Sequence, residues 1–96
     1  MTKNRSREDI AAEILKHALN GKKKTHLIFG AHLSFAQLTK YLELLLQHEL
    51  LEHLPKEGIY RTTQKGKLFL QSYQEFWHAM FTVEGKGASR YVGRLR

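Results

Sequence analysis

Few residues of this chain are arranged for bond-making chemistry. Six histidines are present, but none stands four residues from another, the spacing that sets two imidazoles on one helical face. No cysteine is available, and no paired carboxylates complete a ligand set. Surface or loop positions account for the histidines, and no metal site is expected. There is no glycine-rich phosphate loop, no nucleophile elbow and no acid pair spaced for general acid–base work. The chain therefore reads as a non-enzyme, with no catalytic residue, no cofactor and no small-molecule ligand. What remains is the chemistry of charge. Sixteen Lys and Arg against nine Asp and Glu leave +7 with histidine neutral, a surplus that suits a polyanionic partner. Lys22, Lys23 and Lys24 form a consecutive cationic run, and Lys56 and Arg61 add isolated cations. All five are candidate phosphate contacts. Gln37 and Lys40 bear groups that match base edges, glutamine for adenine and lysine for guanine or phosphate. Thr25, Ser34 and Tyr41 complete the candidate set. The acids Glu43, Glu49, Glu52 and Glu57 imply that the end of the Gln37–Lys40 helix and the strand after it face elsewhere.

The stretch SFAQLTKYLELLLQHEL carries Gln37 and Lys40, and its helix start is written twice. Ser34 and Gln37 make a capping box, and Leu33 and Leu38 stand at the two positions of a hydrophobic staple. Leu38, Leu42 and Leu45 then recur on one face, with Tyr41 and Leu46 at its borders. Gln37, Lys40, Glu43 and Gln47 take the other side, so the helix buries one face and offers the other over residues 34–48.

Ahead of it, Ser6 and Asp9 cap a first helix whose buried face is Ile10, Ala11, Ile14, Leu15 and Ala18. Asn20 and Gly21 end that helix, since both tolerate a left-handed backbone. Thr25 is the expected N-cap of a short second helix, HLIFGA, with Leu27 and Ile28 inward. Gly30, Ala31 and His32 form the turn to Ser34. Two helices joined by a short turn, the second with an exposed polar face, is the helix-turn-helix pattern.

Residues 50–54 alternate apolar and polar, Pro55 to Gly58 is a turn, and residues 59–62 return as a second strand. A lone hairpin is marginal in water, so this one must lean on the helices through Leu51 and Ile59. Thr63 caps a final helix that stops near Glu84, ahead of Gly85 and Gly87. Leu70, Tyr73, Trp77 and Met80 are spaced 3, 4, 3, a heptad seam, with Phe69, Phe76 and Val83 alongside. One domain of this size covers the start of the helix and leaves Tyr73, Phe76, Trp77 and Met80 unburied. A homodimer through this helix, using Leu70, Tyr73, Phe76, Trp77 and Met80, follows from that surplus. The competing arrangement has the tail, with Tyr91, Val92 and Leu95, folding back over the patch.

Ninety-six residues, 42% of them hydrophobic, suffice for one folded domain. No apolar run reaches the roughly 18 residues of a membrane span, and no signal peptide opens the chain. The fold class expected is mostly α with a small β-hairpin, a winged helix-turn-helix with an extended C-terminal helix. It divides into a flexible basic arm over residues 1–5, the domain over 6–72, a dimerisation helix over 73–84 and a basic tail over 85–96.

The sequence also resembles the archaeal winged helix-turn-helix regulators over about residues 5–72. The resemblance rests on Lys24, Thr25, His26, Ala31, Leu33, Ser34, Gln37, Leu38, Tyr41, Leu42 and Leu45. It resumes at Tyr60, Thr63, Lys65, Gly66 and Leu70. It implies double-stranded DNA as partner, a dimeric transcription regulator, and a cytoplasmic, nucleoid-associated protein, with residues 34–48 in the major groove and residues 50–63 as wing. Architectural DNA binding of low specificity, or a protein-interaction module, are the alternatives. Two positions depart from the family pattern. Glu49 replaces a glycine, implying either a strained cap or a longer helix, and His32 replaces an asparagine.

Overall fold

The computed structural model describes residues 6–85, with side chains to Met80. The basic arm 1–5, the tail after Gly85 and the side chain of Val83 lie outside the described residues. The order is α1 (Arg7–His17), α2 (Lys24–Ala31), α3 (Phe35–Gln47), β1 (Leu51–Leu54), β2 (Ile59–Thr62) and α4 (Gln64–Gly85). This is the expected arrangement of helices and hairpin.

Local capping sets the helix starts. Asp9 N–H donates to Ser6 Oγ at 3.0 Å, and Ser6 N–H donates back to Asp9 Oδ2 at 3.1 Å. Ser34 and Gln37 repeat the box at α3, at 3.1 and 3.0 Å. Each box satisfies two of the N–H groups that a helix start leaves unpaired. The start of α2 differs from expectation. Its N-cap is Lys23, with no side-chain hydrogen bond, and Thr25 lies within the first turn. The cause is a long-range contact. Lys22 pairs antiparallel with Tyr60, N–H to O at 2.9 and 2.8 Å in the two directions. This tie to β2 fixes the backbone just ahead of Lys23. Gly30 and Ala31 likewise belong to α2, so the turn shortens to His32 and Leu33.

Helices α2 and α3 end alike. His32 (φ 56°) and Glu49 (φ 61°) both adopt the left-handed region. Leu33 N–H reaches Ile28 O at 3.1 Å, and Leu50 N–H reaches Leu45 O at 2.9 Å. These six-to-one bonds are Schellman closures, which normally place glycine at the left-handed position. Glu49 is thus the strained cap, and the longer helix is excluded. A Glu49→Gly exchange is expected to stabilise the domain by about 1 kcal/mol, because a left-handed non-glycine residue is strained by roughly that amount. An unchanged or lower denaturation midpoint would show that Glu49 is held by something other than the closure. The first helix ends at His17, earlier than Asn20, and only Gly21 (φ 91°) takes the left-handed backbone there.

The core gathers Ile14, Leu15 and Ala18 of α1, Leu27 and Ala31 of α2, Leu33, Leu38, Leu42 and Leu45 of α3, and Leu51 of β1. The stripe read from α3 is the buried one. The hairpin pairs Leu51 with Thr62, Glu52 with Arg61, His53 with Tyr60 and Leu54 with Ile59. It leans on the core through Leu51, and also through a side chain whose type gave no such signal. Thr62 is buried, its Oγ1 donating to Leu15 O at 2.8 Å while its N–H donates to Ala18 O at 3.0 Å. Thr63 starts α4 by accepting from Gly66 N–H at 3.0 Å, and its hydroxyl donates to Glu49 O at 2.7 Å.

Helix α4 packs its first turns on α1. Leu70 is only 6% exposed, which corrects its assignment to a surface between copies: it is covered within its own chain. Phe69 also packs against the core. Tyr73 donates its hydroxyl to Asp9 Oδ1, so one carboxylate both caps α1 and holds α4. Burial first, and the Asp9 bond and charge next, push the Tyr73 phenol up from 10 to about 12.

Candidate nucleic-acid interface

Helix geometry orders the exposed side of α3. With Leu38, Leu42 and Leu45 inward, the residues at spacing 4, 3, 4 on the far side are Ala36, Lys40, Glu43 and Gln47, all exposed. Lys40 is therefore on the outermost line. Gln37 lies beside it, exposed, with its Oε1 already engaged by the Ser34 N–H, while the Ser34 hydroxyl holds the Gln37 N–H. Gln37, expected at base edges, and Ser34, expected in the DNA-binding set, thus both have a structural duty. Tyr41 is half-buried against the core. It shares a depression of about 290 Å³ with Arg7, Lys40, Glu43, Leu44 and Gln47.

The lysine run does not act as a unit. Lys22 and Lys23 are exposed, with the Lys22 backbone fixed to Tyr60. Lys24 is half-buried and turns to α3, its Nζ lying 4.3 Å from the centroid of the Phe35 ring. That distance is within cation–π range. Thr25 is exposed in the first turn of α2, and Lys56 is exposed in the turn between the strands. Arg61 is paired, its Nε 2.9 Å from Glu52 Oε2. An exposed pair of this kind is worth little in water, so it can exchange for a phosphate at small cost. Arg61 opens onto a polar groove of about 480 Å³ shared with Asn20, Glu52, Gln64 and Lys67. None of that groove's lining comes from α3. The structure brings Lys24 to the start of α3 and sets Lys40 and Arg7 on the rim of one depression, but leaves Arg61 apart from both.

Two exposed aromatic residues were not among the residues singled out from sequence. Phe29 on α2 is 76% exposed and Phe35, the first residue of α3, is 62% exposed. Their signal is their position off the buried stripes, Phe29 in the last turn of α2 and Phe35 at the start of α3, but an aromatic residue in a helix reads as core by default. Along α4, Phe69, Tyr73, Trp77 and Phe76 make a ladder of ring contacts with centroids 5.8 to 6.4 Å apart. Phe69, Tyr73, Phe76 and Trp77, with Ser6, Glu8 and Ser72, line a groove of about 400 Å³. Phe76 is 59% exposed, Met80 is exposed and Trp77 is half-buried.

Among the described residues no group of three His, Cys, Asp or Glu is placed to hold a metal ion. No described helix is long and apolar enough to cross a membrane.

A family model for winged helix-turn-helix proteins matches residues 4–81. An uncharacterized protein of Methanocaldococcus jannaschii is 32% identical over 73 residues, which are 75% of this chain. The match covers 34% of that relative, so the chain corresponds to about a third of its length. Among solved structures, Sso10a-2 of Sulfolobus solfataricus, described as a DNA-binding protein, superposes with a TM-score of 0.72 at 27% identity. That match covers 95% of this chain and 96% of the other.

Proposed function

Because the chain belongs to the winged helix-turn-helix family, we propose that it binds double-stranded DNA as a homodimer, with α3 in the major groove and the β1–β2 hairpin as wing. The observation that carries this reading is Lys40 on the outermost exposed line of a helix capped at both ends, in a chain of net charge +7; Glu43 on the same line lies a turn further from the helix start. The DNA-binding description of Sso10a-2, similar over nearly the whole chain, supports it. Lys22, Lys23 and Lys56 supply phosphate contacts, and Arg61 joins them by leaving Glu52. A nucleoid-associated place in the cell follows from the same reading.

A transcription regulator and a low-specificity architectural protein both fit that interface. The engagement of Gln37 Oε1 and Ser34 Oγ in the cap favours the architectural role, since it leaves Lys40 as the chief polar base-reading group near the start of α3. Mobility shifts of the promoter-region duplex against long random duplex separate the two. Each phosphate neutralised is expected to add about −0.9 to the slope of log K against log salt. A salt-independent affinity, or no shift of any duplex at low salt, would end the DNA-binding reading. In the architectural role Lys40→Ala weakens promoter and random binding alike; a larger loss on the promoter duplex would make Lys40 a base-reading residue and favour the regulator.

The dimer reading rests on Phe76, Trp77 and Met80, which lie beyond the turns of α4 that α1 covers. Two such helices together bury Phe76, Trp77 and Met80, and a two-fold dimer suits paired half-sites. Sedimentation equilibrium at micromolar concentration is expected to give twice the chain mass. Trp77→Asp or Met80→Asp is expected to give a folded monomer. A wild-type monomer under those conditions would count against the dimer.

A further inference from the structure

We propose that Phe35 reads thymine, packing its ring against the 5-methyl groups of the major groove. The inference rests on the duplex-binding reading above and names one specificity-determining contact within it. Phe35 is the first residue of α3, and the N-terminal residues of a recognition helix are those that meet base edges. Its 62% exposure means that the core does not require it. Two of the polar groups around it are engaged, Ser34 Oγ and Gln37 Oε1 in the cap, and Lys24 Nζ lies over the ring. The apolar contact chemistry at this end of α3 is the Phe35 ring and the exposed methyl of Ala36. The matching apolar group on the major-groove edges is the thymine methyl.

Geometry also decides the mode of contact. A wedge inserted between base pairs needs both faces of its ring clear. The Lys24 ammonium stands over one face at 4.3 Å, which leaves the edge and the other face. That suits lateral packing on a methyl group. The same ammonium holds the ring in place and brings a cation to the groove lip, where phosphates lie.

The test uses one AT-rich duplex amplified with either thymidine or deoxyuridine triphosphate, identical except for the methyl groups. Binding of the full chain is followed by fluorescence anisotropy at fixed salt. The wild type is expected to bind the uracil duplex more weakly, by about fourfold for each methyl contacted. Phe35→Ala should bind both duplexes alike, at near-normal melting temperature because the ring is exposed. Lys40→Ala should keep the thymine preference while losing affinity on both. Equal wild-type affinity for the two duplexes overturns the proposal while leaving duplex binding standing. So does a thymine preference that survives in Phe35→Ala. Binding to neither duplex would instead overturn the DNA reading on which it rests.

Discussion

Leu45→Ala is expected to destabilise the domain by roughly 3–5 kcal/mol, the upper part of the range for buried leucines. The magnitude depends on whether the surroundings can collapse into the space. Leu45 is 2% exposed and shares its cluster with Leu38, Leu42 and Leu51. Helix α3 is held at its start by the Ser34 box and at its end by the Leu50 N–H to Leu45 O bond. A helix fixed at both ends cannot slide to fill a cavity, so the loss of methyl contacts is largely uncompensated. Small domains have roughly 5–15 kcal/mol in all, and about 1 kcal/mol moves the midpoint of a domain this size by roughly 4–8 °C. Thermal unfolding followed by circular dichroism should therefore show a drop of roughly 12 °C or more. A midpoint within a few degrees of wild type would mean that α3 is not seated on this face. Duplex affinity should fall with it, because α3 and β1 both rest on the core cluster to which Leu45 and Leu51 belong.

What was legible in the sequence is what local physics decides. Ser6 with Asp9 and Ser34 with Gln37 satisfy N–H groups three residues away, so their spacing alone reveals the helix starts. Leu38, Leu42 and Leu45 reveal the buried face because the helical period is fixed. The errors come where a distant partner decides. Thr25 has the chemistry of a cap, but the bridge from Lys22 to Tyr60 moves the start of α2 to Lys24. Leu70 keeps perfect heptad spacing with Tyr73, Trp77 and Met80, and the same spacing results whether α1 or a second chain covers it. Asp9 was readable as a cap, and nothing near it in sequence announces Tyr73 as its second partner. For the interface, sequence identified Gln37 by its type, while the structure shows its carbonyl oxygen turned to Ser34. Phe35 is of a type that suggests core, and only its exposure points to a surface role.

Gly66→Ala is expected to cost about 2–3 kcal/mol or more, despite placing a better helix former in the first turn of α4. Alanine would by itself favour the helix by about 1 kcal/mol over glycine. Against that stands the close approach of chain segments at this point. A Cβ on Gly66 would overlap Leu50 O and lie 2.7 Å from Thr62 Cγ2. Neither neighbour is free to move. Leu50 O accepts from Thr63 N–H at 3.1 Å, and Thr62 is held by Leu15 O and Ala18 O. Thr63 is held in turn by Glu49 O and by Gly66 N–H itself. Relief would have to shift α4 away from the end of α3, breaking the Thr63 bonds that tie the wing, α3 and α4 at one point. Overpacking against yielding side chains costs about 1–3 kcal/mol, and a clash with a hydrogen-bonded carbonyl belongs at or above the top of that range. The loss therefore outweighs the gain in helix propensity. Lys65→Ala is the matched control, an exposed neighbour with no such contact, and it should leave the midpoint within about 0.5 kcal/mol of wild type. Chemical denaturation of the two variants decides the matter. A Gly66→Ala protein as stable as Lys65→Ala would mean that α4 does not cross the end of α3 this closely. Faster amide exchange at Thr63 and Gly66 in a folded Gly66→Ala protein would place the damage at that crossing.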